Sequence, residues 1–141
     1  MGLLAQLFKT GVKSYHYANR KESRIEYFNW RWEHLNEIHQ LVLDDFVIPL
    51  EPFLDNMTNN ECIKLEKYVQ KMSDWQNDII RNINEANQNH LSSYATAIKK
   101  VAMKSMMLCK KYCVYSDIET VKYISSETAI YLNDEKHYTF R

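Results

Sequence analysis

Residues 58–86 read TNNECIKLEKYVQKMSDWQNDIIRNINEA. Within them Cys62, Leu65, Val69, Met72, Gln76, Ile79, Ile83 and Ala86 alternate spacings of three and four. That period is helical, and a stripe of this length stays on one face only when the helix packs along its length against partners of similar length. The start is encoded too. Thr58-Asn-Asn-Glu61 is a capping box, in which the Thr58 hydroxyl accepts an orphan backbone N–H and the Glu61 carboxylate reaches back to the Thr58 N–H. The stretch therefore specifies a core helix of a helical bundle.

Composition carries the same message to the whole chain. At 141 residues it has the length of one domain, residues 1–141, large enough to bury a core without disulfides or a structural metal. Two Gly and two Pro leave few places for hairpins, which excludes an all-β fold and points to all-α. Upstream, Ile25, Phe28, Trp32, Leu35, His39, Val42 and Phe46 repeat the seam, widened by Trp30, Ile38 and Leu41. Asn19 or Ser23 is placed to cap this helix, and Pro49 and Pro52 end or kink it, with room for one extra helical turn before Thr58.

Downstream the heptad frame cannot continue, because it would bury His90, Lys100, Lys104 and Lys111. It resets to Leu91, Tyr94, Ile98, Val101, Ser105, Leu108, Tyr112 and Tyr115, flanked by Ala95, Ala102, Met106, Cys109 and Cys113. A break near Asn87 to His90 follows; one bent helix in an elongated or swapped dimer is the other reading. Ser116-Asp-Ile-Glu119 offers a second capping box, and the helix after it turns Val121, Ile124, Thr128 and Tyr131 inward. The expected architecture is an antiparallel up-down four-helix bundle. With turns near Leu54 and Gln88, Trp32, Gln76 and Ser105 fall in one layer, making Gln76 and Ser105 candidates for a buried polar contact.

The two ends are set apart. In residues 1–18 Leu3, Leu4, Leu7 and Phe8 share a helical face beside Lys9 and Lys13. The segment reads as a short amphipathic helix closing one end of the bundle; a peripheral membrane foot is the alternative. Residues 134–141 form a C-terminal tail. No apolar run reaches the roughly twenty residues needed to span a bilayer. Three Cys, with no signal-peptide pattern ahead of them, fit a reducing, cytoplasmic compartment, where Cys109 and Cys113 read as small core residues. The Lys, Asn, Ile and Tyr usage is that of an AT-rich bacterial or phage genome.

Catalytic patterns are missing. None of Glu33, Glu37 and Glu85 is followed three residues on by His, and no two His stand at i, i+4, so neither bundle dimetal nor zincin-type spacing is present. The Arg-to-His spacing of HEPN-type ribonucleases fails as well: Arg31 comes three residues before His34, and Arg81 nine before His90. With only Gly2 and Gly11 there is no phosphate-cradling loop and no nucleophile elbow. His39, alone among apolar seam positions, reads as a hydrogen-bonded core residue. No enzyme, metal or cofactor is expected.

Charge is segregated, although eighteen basic and eighteen acidic residues cancel. From Glu22 to Asp55 eight acids face only Arg24 and Arg31. Between Leu91 and Ser116 the charged residues are Lys99, Lys100, Lys104, Lys110 and Lys111, without one acid. These five lysines are the candidate partner-binding residues. The expected function is a non-enzymatic protein–protein interaction module of adaptor, immunity or inhibitor type, docking an acidic protein surface. Nucleic-acid binding through the same stripe is the alternative, weakened by the neutral total, the lack of Arg and the lack of aromatics interleaved with these lysines outside the seam. A homodimer is also compatible with the seams. Off-seam Tyr15, Tyr17, Tyr27, Tyr123 and Tyr138 have the composition of a contact surface.

Overall fold

The computed structural model describes residues 21–133, and the chain is helical throughout the secondary structure found there. Four α-helices pack against one another: α1 (Lys21–Val42), α2 (Asn59–Arg81), α3 (Gln88–Lys111) and α4 (Ile118–Asn133). The N-terminal amphipathic segment and the tail, with Leu3, Leu4, Leu7, Phe8, Tyr15, Tyr17 and Tyr138, lie outside the described residues.

Helix α3 holds the centre, packing against each of the other three. The reset frame explains why: Leu91, Tyr94, Ala95, Ile98, Val101, Ala102, Ser105, Leu108 and Cys109 are all buried, a stripe wide enough to face three neighbours. Helix α1 contributes Trp32, Leu35, Ile38 and Val42 to the same cluster, the turn after it contributes Phe46, α2 contributes Leu65, Met72 and Ile79, and α4 contributes Ile124 and Tyr131. The frame runs out at the end of α3, where Tyr112 is half-buried and Cys113 and Tyr115 are exposed, Tyr115 by 82%. Neither Cys113 nor Tyr115 is the core residue that the spacing predicts, because the helix has stopped before them.

The connections follow from backbone chemistry. Pro49 offers no N–H and crowds the carbonyl four residues earlier. Ahead of it the chain widens into a π-helical turn (Leu43–Val47), then tightens into a 3₁₀-helix (Ile48–Asn56) instead of adding one α-turn. The buried Cys109 thiol donates to the Phe46 carbonyl in that distorted turn at 3.5 Å. The Thr58 capping box is present, with Glu61 N to Thr58 Oγ1 at 3.1 Å and Thr58 N to Glu61 Oε1 at 2.9 Å. The break after α2 spans residues 82–87, slightly ahead of the expected place, and separates α2 from α3. Asn82 caps the Asp78 carbonyl through Nδ2, and Asn87 starts α3 in a box with His90.

Two further caps differ from expectation. Ser23 lies inside α1, not at its start. At α4, Asp117 stands in for Ser116: its carboxylate accepts from Thr120 Oγ1 at 3.1 Å and, more distantly, from Glu119 N at 3.4 Å. Helix α3 closes in a Schellman motif, with Val114 N to Cys109 O at 2.8 Å and Cys113 N to Lys110 O at 3.4 Å. Cys113 takes the left-handed position at φ 55°, where glycine is usual because a Cβ crowds the backbone.

Candidate functional site

Three assemblies of polar side chains stand out: a buried chain across α1, α2 and α3, a second between α1 and α4, and the outer surface of α3.

The first contains His39. Its Nδ1 lies 2.7 Å from the Tyr94 hydroxyl, which donates to Asn36 Oδ1 at 3.0 Å; that oxygen also accepts from Gln76 Nε2 at 3.0 Å. A proton on Nδ1 makes the chain consistent from end to end, His39 to Tyr94 to Asn36, with Gln76 arriving from α2. Burial lowers the His39 pKa to about 4, and burial likewise raises that of Tyr94. His39 is thus the hydrogen-bonded core residue its position predicts. Gln76 does make a polar contact, but with Asn36 and not with Ser105. The Ser105 hydroxyl donates to the Val101 and Ala102 carbonyls of its own helix and needs no partner across the bundle.

The second assembly joins elements about a hundred residues apart in sequence. Both Arg31 and His34 are buried. His34 Nδ1 is 2.7 Å from the Tyr131 hydroxyl, while Nε2 is 3.1 Å from Glu127 Oε1 and 3.2 Å from the Tyr123 hydroxyl. Trp30 stacks on the imidazole, and the Arg31 guanidinium lies 4.2 Å from the centre of the Tyr131 ring. Burial, with the Glu127 and Glu37 carboxylates, pushes the Tyr123 phenol up to about 12. An imidazole between a carboxylate and a phenol has the parts of a proton relay. The same contacts also fasten α4 to α1. Sequence reasoning weighed Arg31 and His34 only as a ribonuclease spacing and missed their burial. The available signal was their place seven and four residues before Ile38, on its side of the helix.

The third assembly holds the five candidate lysines. Lys99, Lys100 and Lys110 are exposed and Lys104 is half-buried. Lys111 is exposed but committed, with Nζ 2.7 Å from Glu61 Oε2, while the Tyr112 hydroxyl donates to Glu61 Oε1 at 2.6 Å. These bonds to Lys111 and Tyr112, with the Thr58 N–H, hold the Glu61 carboxyl down at about 2. Glu61 therefore caps α2 and ties it to α3 at once. At 100° per residue the four other lysines border an arc that also contains Met103 and Met107. Both methionines are open to solvent, 52% and 64% exposed.

The structure also supplies the off-seam aromatic that α3 lacks beside its own lysines. Glu61 meets Lys111, and elsewhere along the same two helices Lys71 and Trp75 of α2 share a hollow with Lys100 of α3. Among the described residues no group of three or more His, Cys, Asp and Glu side chains is arranged to hold a metal ion, and no helix is long and apolar enough to cross a membrane. Comparison with protein-family models, curated proteins and solved structures returns no match.

Proposed function

We propose that this chain is a non-enzymatic protein–protein interaction module, an adaptor, immunity or inhibitor-type protein, that docks an acidic partner on the outer face of α3. In this reading the helices are arranged up-down in a single domain, residues 1–18 add a short amphipathic helix, and the protein works in the cytoplasm of a bacterial or phage-infected cell. The supporting observation is the α3 surface itself. Met103 and Met107 stand exposed among Lys99, Lys100, Lys104 and Lys110, on a helix with no acid between Leu91 and Ser116. Flexible thioethers ringed by cations suit a protein contact: the methionines supply adaptable apolar area, and the lysines set orientation and on-rate.

A second reading, nucleic-acid binding, gains from Trp75 standing beside Lys71 and Lys100, since single-stranded nucleic acids bind where bases can stack next to cations. Salt dependence separates the two. Neutralising several phosphates releases condensed counterions, costing roughly one log unit of affinity per log unit of salt for each phosphate. The docking reading expects no retardation of single- or double-stranded nucleic acid at physiological salt. It also expects Lys100→Glu with Lys104→Glu to weaken a co-purifying protein partner. Micromolar nucleic-acid binding with a multi-phosphate slope, lost in the double variant, would replace it with the second reading.

A further inference from the structure

We infer that the hollow between α2 and α3 is a receptor for one acidic side chain of the docked protein, with its carboxylate between Lys71 and Lys100 and its methylenes against Trp75. This rests on the docking reading and gives it a specific anchor. The hollow measures about 190 Å³ and is lined by Lys71, Trp75, Ser93, Thr96, Ala97 and Lys100. None of these is acidic. Its two cations come from different helices, so an anion entering it is flanked on both sides, whereas the lysines of α3 alone form an open stripe. Ala97, small and itself buried, is part of the lining.

Size selects the occupant. Ligand and cofactor pockets run from about 300 to 1,000 Å³, and this hollow is smaller, matching a side chain. Hydrogen bonding refines it further. The Thr96 hydroxyl is already donating to the Ser92 carbonyl at 2.8 Å, which leaves the Ser93 hydroxyl and the Trp75 indole N–H as neutral donors for an anion. Trp75 is held edge-on to His90, with ring centroids 6.3 Å apart, so the wall is preformed. Trp75 also lines a second hollow, about 240 Å³, together with Asp74, Asp78 and Arg81. Two carboxylates there disfavour a polyanion running on past Trp75. A protein segment with an isolated acid meets no such repulsion, and that contrast favours a protein side chain over a phosphate backbone.

The test uses the full chain, ¹⁵N-labelled, titrated with an end-blocked peptide carrying a single glutamate and, in parallel, with inorganic phosphate. Trp75→Phe assigns the Trp75 indole resonance, and Lys71→Gln, an exposed change outside α3, removes one flanking cation. The single-glutamate peptide is expected to shift the Trp75 indole N–H and the Ser93 and Lys100 amides saturably, with Kd raised about twofold to fivefold by Lys71→Gln, the size of one exposed charge pair. Shifts confined to Lys99, Lys104 and Lys110, with Trp75 and Lys71→Gln unaffected, would overturn the receptor while sparing the docking face. No shift on any part of α3 would overturn both. Tighter saturation of the Trp75 signal by phosphate than by the single-glutamate peptide would overturn the carboxylate assignment.

Discussion

Replacing His39 with glutamine turns the burial of an imidazole into a measurable pH dependence. In the native bundle His39 is buried against the Tyr94 hydroxyl and its pKa falls to about 4, against about 6.5 in an unfolded chain. As pH drops below 6.5 the unfolded state takes up a proton that the native state refuses. The native state is therefore favoured in full above about 6.5, loses stability progressively below it, and has lost the whole contribution below about 4. At about 1.4 kcal/mol per pH unit this interval is worth about 3 kcal/mol. Glutamine keeps a donor for Tyr94 and does not titrate. Urea unfolding of wild type and His39→Gln from pH about 7 to about 4 isolates the effect, because Glu61 and the other carboxylates change equally in both proteins. Wild type is expected to lose about 3 kcal/mol relative to the variant across that range. A difference that stays flat with pH, or a His39 ring resonance titrating near 6.5, would refute the assignment of His39 to a dry, hydrogen-bonded site.

Other substitutions probe the remaining contacts. Tyr131→Phe removes the hydroxyl that meets His34 Nδ1 and the Arg31 carbonyl, and denaturant melts are expected to show a loss of about 1–3 kcal/mol, the cost of leaving buried polar groups unpaired. Thr58→Ala deletes one side of the α2 capping box and is expected to lower stability by about 1 kcal/mol in the same assay. Cys113→Gly relieves the left-handed backbone at φ 55° and is expected to raise stability by about 1 kcal/mol; unchanged stability would mean the strain is absorbed elsewhere.

Local chemistry was readable from the chain, and long-range geometry was not. The Thr58 box, the frame shift after α2 and the inward face of α4 each depend on residues within a turn or two of one another. All of these appear, with the break and the α4 cap displaced slightly. The Gln76 contact depends instead on two offsets. Fourteen residues in π and 3₁₀ form set α1 against α2 and bring Asn36 to Gln76, while the break at 82–87 sets α2 against α3 and leaves Ser105 away from it. Arg31 and His34 escaped for a related reason, since Tyr123, Glu127 and Tyr131 lie beyond two intervening helices. The candidate lysines were located by composition alone. Only folding brought Lys71 and Trp75 beside Lys100, and committed Lys111 to Glu61.

Site-specific photo-crosslinking in cells tests the central claim most directly, with a photoreactive residue placed at Met103 or Met107 and, as control, at Glu66 on the exposed side of α2. The docking account predicts a protein adduct at both α3 positions, resistant to nuclease, absent at Glu66, and lost when Lys100→Glu and Lys104→Glu are added. Adducts digested by nuclease, or protein adducts that form at Glu66 and not on α3, would contradict it.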